Sequence, residues 1–225
     1  MTWDDFVLAF FSLDILRQAW PILWAGLVQT VLLSLTVVPL GLLGGVVLAL
    51  LSTVRNPWVR WPLMAWVDVF RSLPPLVLLV FVYAGLPFAG LEVSPWGAVA
   101  IGFFLNTGAY YGEILRAGIE SVPAGQIEAA RSTGLSRGQA MAWVVLPQAL
   151  RITVPPLTNR TIAITKNTAL ASVVAVPEIL GAAQAGVSFG FNPTPLTLGA
   201  LAYLVLFLPV VVLGRWVETR FAWKR

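Results

Sequence analysis

From Ile22 to Leu51 the chain runs thirty residues without a charged side chain. A helix of that length, rising about 1.5 Å per residue, would reach roughly 45 Å, against a hydrocarbon core of about 30 Å. Such a helix either tilts and projects into water or bends near Pro39, where Gly41, Gly44 and Gly45 would also permit close helix contact. The reading adopted is one long transmembrane helix with a kink. It ends at Arg55-Asn56-Pro57, and Trp58 and Trp61 beside Arg55 and Arg60 make an interfacial anchor.

Composition agrees with lipid as the main solvent, because 58% of the 225 residues are hydrophobic and only 11% are charged. The chain has no Cys and no His, which excludes thiol chemistry, imidazole acid–base work and the usual metal clusters. It contains no Gly-x-x-x-x-Gly-Lys-Ser/Thr stretch, and its only lysines are Lys166 and Lys224, so a nucleotide has no phosphate-binding loop here. No cofactor is expected on this chain. A pI near 10 does not point to nucleic acid, since the basic residues sit beside apolar spans rather than along one continuous face. Asp4 and Asp5, with no basic residue before Arg17, lack the positive opening of a signal peptide, so the N-terminus is expected to be retained.

Residues 1–20 are mildly amphipathic and are expected at the outer surface, ahead of the first span. A second span is read from about Leu63 to Leu86, with Asp68 and Arg71 spaced i, i+3 on one face. Pro87 to Pro95 is a loop, and a third span fills roughly Trp96 to Gly112, closed by Tyr110 and Tyr111 as interfacial anchors. A fourth runs from Ile152 to about Gly181, interrupted by Pro155, Pro156, Arg160, Lys166 and Asn167. That polarity inside lipid predicts a helix broken or irregular near Lys166 to Thr168. Ala182 to Pro195 reads as an outer loop, Leu196 to Gly214 as the fifth span, and 215–225 as a basic tail with Trp216, Trp223, Lys224 and Arg225. The fold class is therefore all-α, a polytopic membrane protein of five transmembrane helices in a single domain over 1–225.

With five spans, Arg55, Arg60, Arg116, Arg131, Arg137, Arg151 and the tail fall on one side, and only Arg17 of the 14 Lys and Arg falls clearly on the other. The basic side is the cytoplasmic one. The N-terminus is then outside, and the segment 113–151 is a cytoplasmic loop.

That loop holds the longest polar run, Gln126 through Gly134 and on to Gln148, which must lie in water or against another protein. It reads as a docking surface of two short helices. Pro123 suits a first helical position and Gly134 the left-handed residue just past a helix end. Ser136 and Gln139 can form a capping box, and Pro147 is expected to close the second helix.

Glu128-Ala129-Ala130, with Gly134 six residues after the Glu and then Val144-x-Leu146-Pro147, resembles the EAA loop of permease subunits of bacterial ATP-binding-cassette importers. Val144 stands where that pattern usually has Ile. Asn106-Thr107-Gly108-Ala109-Tyr110, Val122-Pro123-Ala124-Gly125-Gln126, Leu146-Pro147-Gln148-Ala149 and Lys166-Asn167-Thr168-Ala169-Leu170 are similar to the branch that imports polar amino acids. The resemblance implies a type I importer permease in the bacterial inner membrane, dimeric with itself or a paralogue. It also implies two cytoplasmic ATPase subunits carrying ATP and Mg, and an outer amino-acid-binding protein. Its ATPase-coupling residues would be Glu128, Ala129, Ala130, Arg131, Gly134, Leu135 and Arg137. An ordinary solvated helix is the alternative for this stretch, and Arg131 and Arg137 suit lipid headgroups as well as an ATPase.

The substrate pathway implied includes Asp68, Arg71, Asn106, Thr107, Lys166, Asn167, Thr168 and Ser172. Asp68 and Arg71 could touch solute or form a snorkelling pair at the interface, and Arg71-Ser72-Leu73-Pro74 departs from the family's Arg-Gly-Thr-Pro. Lys166 to Thr168 could take the carboxylate and ammonium of an amino acid, or Lys166 could reach the interface or pair with Glu178 or Asp68. Asn106 and Thr107 could equally join helices. Two other classes stay open: an ion-gradient-driven secondary transporter or channel, and an intramembrane enzyme, for which no convincing catalytic pair is present.

Overall fold

Capping side chains and the prolines Pro57, Pro74 and Pro75, more than charge, decide where this chain breaks. The computed structural model describes residues 2–54 and 56–221, and these contain ten α-helices, a few π and 3-10 turns and no strand. Arg55, Trp223, Lys224 and Arg225, expected in basic anchors, lie outside the described residues.

Helix α1, Trp3–Phe10, opens on a capping box in which Thr2 and Asp5 satisfy each other's free backbone donors. Helix α2 then runs unbroken from Leu13 to Ser52, through Pro21 and Pro39. Residues 1–20 are thus not merely a surface segment ahead of the first span. Asp14 suits the positive end of α2, and the apolar residues after it extend the helix that the uncharged run predicted.

Helix α3, Pro57–Ser72, starts on the Asn56 cap and Pro57. Leu73 and Pro74 interrupt the expected second span, and the chain resumes as α4, Pro75–Val80, followed by a π turn at Phe81–Gly85 and a 3-10 turn at Leu86–Ala89. Leu73, the residue ahead of Pro74, takes an extended backbone (φ −77°, ψ 129°) and ends α3 there, whereas the adjacent Pro155 and Pro156 lie inside continuous α8.

Helix α5, Pro95–Glu120, continues two turns past Gly112, where the third span was expected to end. Arg116 bonds Glu113 at 2.7 Å and Glu120 at 2.6 Å, i, i+3 and i, i+4 pairs that support a helix leaving lipid. The loop expected from residue 113 therefore starts after Glu120. It contains α6, Ala124–Ser132, and α7, Arg137–Ala140, followed by a π turn at Met141–Val145 and then α8, Leu146–Asn167. Pro147 does not close a helix as expected. The i→i−5 bond from Leu146 to Met141 widens the backbone just before the proline, easing the clash and the missing donor that would otherwise break it.

After Asn167 the backbone tightens into a 3-10 stretch, Thr168–Val174, and Ala175 turns left-handed at φ 62°. The irregularity anticipated at Lys166 to Thr168 is present there and extends to Ala175. Helix α9, Ile179–Gly190, occupies most of the expected outer loop. Glu178 caps it by accepting from the Gly181 N–H at 3.0 Å, and buried Ala182 and Ala183 give it a packed face. Helix α10 runs from Thr194 to Phe221.

By length and composition, two helical stretches among the described residues can cross a membrane, Trp3–Ser52 and Thr194–Phe221, or up to four if each bent pair counts as one span. The expected five are not reached on this criterion. Helix α5 has the length, about 39 Å for its 26 residues, but Asn106, Thr107 and Tyr111 dilute its apolarity, and all three are buried in protein. Outward-facing side chains are themselves apolar, among them Leu43, Phe81, Val205 and Leu208, as lipid requires.

The described residues pack as two compact units. The first comprises residues 1–38, 74–103 and 163–212. Its core includes Ala19, Leu23, Ala182 and Ala183, with Leu198 against them. Buried Thr30 accepts the Ile179 N–H at 3.2 Å, and Thr194 donates to the Ala9 carbonyl at 3.0 Å, tying the N-terminal arm to the start of α10. The second comprises residues 39–73, 104–162 and 213–225. Here α2 and α5 approach through small residues, so that a Cβ at Gly45 would lie 2.5 Å from Tyr111 Cβ.

Candidate coupling surface and buried polar cluster

The elbow between α6 and α7 is built from local signals. Helix α6 ends with Leu135 N–H donating to the Ala130 carbonyl and Gly134 N–H to the Arg131 carbonyl, the 6→1 and 5→2 pair of a Schellman closure. Gly134 sits at φ 90°, a conformation an L side chain strains to adopt. Ser136 then caps α7, its hydroxyl accepting from the Gln139 N–H while the Gln139 side chain accepts from the Ser136 N–H. Pro123 is the cap of α6, one position earlier than expected.

Val122, Val145 and Ala149, with Ile119, Ile127 and Met141 packed on them, form a small core beneath this elbow. Ala130 is buried, whereas Glu128, Ala129, Arg131, Gly134 and Arg137 are exposed and Leu135 is half-buried. None of the ion pairs among the described residues involves Glu128, Arg131 or Arg137. The elbow thus offers charge and small side chains that its own unit leaves unmatched.

In the same unit, α3, α5 and α8 are tied together by polar groups. Asn106 donates to the Phe70 carbonyl at 2.8 Å and the Leu73 carbonyl at 3.4 Å, satisfying the open C-terminal end of α3. Its side-chain oxygen accepts from Arg160 at 3.3 Å. The Arg160 guanidinium lies 3.4 Å from the Tyr110 ring centroid, with Arg71 at 5.5 Å. Tyr110 donates to the Arg71 carbonyl at 3.0 Å, and buried Tyr111 shares a 2.6 Å hydroxyl contact with Thr161. These tyrosines are therefore not the interfacial anchors expected of them. A tyrosine near a span end has the same composition whether its hydroxyl finds water or a partner helix.

Arg71 pairs with Glu113 at 3.6 Å and with exposed Asp68 at 4.0 Å. Thr107 is fully buried, and its hydroxyl has no hydrogen-bond partner among the described residues. In the other unit Thr168 is buried, donating to the Thr165 carbonyl at 2.6 Å, and Ser172 donates to the Ala169 carbonyl at 2.8 Å. Asn167 is the last residue of α8. Exposed Lys166 stands at the edge of an open groove of about 580 Å³ walled by Ala169, Tyr203, Leu204 and Phe207. Glu178, one partner considered for Lys166, is fully buried and committed elsewhere, accepting from the Tyr203 hydroxyl and the Gly181 N–H.

In the sequence Arg160 stands out only as an interruption of the fourth span, and Tyr203 does not stand out at all. The available signal was Arg160 itself, an ionisable residue inside a span. Nothing local pointed to Tyr203, which is 25 positions from Glu178.

Comparison with known proteins places this arrangement. A family profile described as the binding-protein-dependent transport system inner membrane component matches residues 41–223. The chain belongs to this family. Within it, the chain is 35% identical to the probable amino-acid ABC transporter permease protein YckA of Bacillus subtilis (strain 168), over 94% of both chains. It is 36% identical to the L-cystine transport system permease protein TcyB of the same organism, over 76% of this chain and 74% of that one. A solved amino acid ABC transporter with histidines superimposes with a TM-score of 0.84 at 31% identity, covering 91% of this chain and 96% of that one. The chain is accordingly an ABC importer permease, a membrane transport component of the amino-acid type.

Proposed function

We propose that the chain carries a polar amino acid across the bacterial inner membrane, driven by ATP hydrolysis on two partner ATPases that grip the elbow from Ala124 to Arg137. The observation that carries this reading is the elbow itself. A Schellman closure at Gly134 and a capped α7 hold Glu128, Ala129 and Arg131 outward, and neither charged side chain has an ion-pair partner among the described residues. ATP and Mg belong to the partners. ATP-driven closure of those subunits would draw two such elbows together and switch the permease between inward-open and outward-open, a two-state change biased by differential binding.

The assembly pairs this permease domain with a second, identical or paralogous, and an outer binding protein delivers the cargo. Five membrane crossings follow if α5 joins α2, α10 and the two bent pairs, which puts the N-terminus outside and the elbow and tail in the cytoplasm. The irregular stretch at Lys166, Asn167, Thr168 and Ser172 supplies a cation and backbone carbonyls for the carboxylate and ammonium common to amino acids. Asp68, Arg71, Asn106 and Thr107 are the second unit's own candidates for contact with the cargo.

The test is reconstitution of the whole importer with Glu128→Lys or Gly134→Asp. Each variant should insert and reach normal abundance, yet lose cargo-stimulated ATP hydrolysis. Normal stimulation in both would refute the coupling role, and transport that continues with every nucleotide removed would select an ion-driven carrier instead.

A further inference from the structure

Within the second unit, three arginines share three carboxylates. Arg60 meets Glu120 at 3.6 Å, Arg71 meets Asp68 and Glu113, and Arg116 meets Glu113 and Glu120. Arg160 is a further cation of this unit, half-buried rather than exposed like Arg131 and Arg137, and no carboxylate among the described residues pairs with it. It stands on α8 within the expected fourth span, where an uncompensated guanidinium is costly. Of its five N–H donors one reaches Asn106, and its Nε is buried without a hydrogen-bond partner among the described residues.

The group is nevertheless held in place. One face rests on the Tyr110 ring, whose own hydroxyl is anchored on Arg71. Asn106 cannot rotate freely, because its amide N–H groups are engaged by Phe70 and Leu73, and so its oxygen points to Arg160. A planar fork fixed on one face and at one nitrogen, with donors to spare, matches a carboxylate in two-pronged geometry.

We infer that Arg160 is the specificity-determining cation of the permease and that the cargo is an amino acid with a second carboxylate, on its side chain. This rests on the amino-acid reading above: every amino acid shares its α-carboxylate and ammonium, so a guanidinium without an internal carboxylate tells one amino acid from another by a second carboxylate.

The experiment measures equilibrium binding to the purified permease–ATPase complex, without the binding protein, whose own selectivity would mask the permease's. The probes are L-glutamate against L-glutamine and L-aspartate against L-asparagine, pairs that differ only in carboxylate versus amide. The wild-type complex should bind each acid at least tenfold tighter than its amide. Arg160→Gln should reduce that ratio at least tenfold, and Arg160→Lys should retain a preference for the acid. A folding defect would weaken both members of a pair and leave the ratio alone, and thermal unfolding of each variant is recorded beside it.

Equal binding of acid and amide by the wild type, or an unchanged ratio in Arg160→Gln, overturns the inference while leaving an amino-acid permease standing. If Arg160→Gln does not fold, the wild-type ratio and Arg160→Lys decide. Failure of the wild type to bind or transport any amino acid overturns the underlying reading, and this inference with it.

Discussion

Gly45 lies where α2 and α5 come closest in the second unit, and Gly45→Ala tests that approach. The new Cβ would stand 2.5 Å from Tyr111 Cβ, 2.8 Å from Gly112 N and 2.9 Å from the Tyr111 carbonyl carbon. Comfortable carbon contacts are about 3.5–4.0 Å, so the two helices must separate by on the order of 1 Å. Two of the three clashing atoms are backbone, and no side-chain rotation relieves them. Overpacking of this kind costs about 1–3 kcal/mol, and a backbone clash belongs at the upper end. Replacing Gly by Ala inside a helix returns about 1 kcal/mol of propensity, leaving a net loss of about 2 kcal/mol. Gly125→Ala in α6 is the control, since nothing lies within 4 Å of its Cβ. That variant should gain about 0.5–1 kcal/mol from propensity alone. Unfolding of both in the same detergent, followed by tryptophan fluorescence, should rank Gly125→Ala at or above wild type and Gly45→Ala well below. A Gly45→Ala protein as stable as the control would show that α2 and α5 are not in backbone contact at this point.

Two further outcomes follow from side chains with defined partners. Ser136→Ala removes the oxygen that caps α7 and should weaken that turn by about 1 kcal/mol, seen as faster amide exchange at Gly138 and Gln139; unchanged exchange would mean that the cap is idle. Glu178→Gln and Tyr203→Phe each disturb the same buried contact, so a double-mutant cycle on unfolding should give about 0.5–3 kcal/mol of coupling, and strictly additive losses would contradict the bond.

Signals confined to a few neighbouring residues were legible. Gly134 and the Ser136–Gln139 spacing could be read because a left-handed closure and a capping box depend on residues at most five apart. The uncharged run from Ile22 announced α2, and Lys166 to Thr168 announced the change of helix type, because polarity in lipid demands an explanation. Pro147 misled, since its rule assumes ordinary α geometry and the wide turn ahead of it removes the conflict. Pro74 stood in the Arg71-Ser72-Leu73-Pro74 stretch, but the hydrophobicity around it concealed a break. Contacts across the chain left little trace: Arg160 reaches Tyr110 across 50 positions and Asn106 across 54, and nothing in either neighbourhood says that they meet. Tyr110 and Tyr111 show the same limit, because position near a span end cannot say which way a ring turns.

The π turn at Met141–Val145 fits one residue more into its loop than an α turn does, so α7 enters α8 with its angular phase displaced by about 100° relative to a regular helix. Removing a single residue there would restore even winding and swing Arg137 around the axis, while altering little of the chemistry of either helix. The direction in which the elbow presents its side chains is therefore set by backbone winding as well as by residue identity.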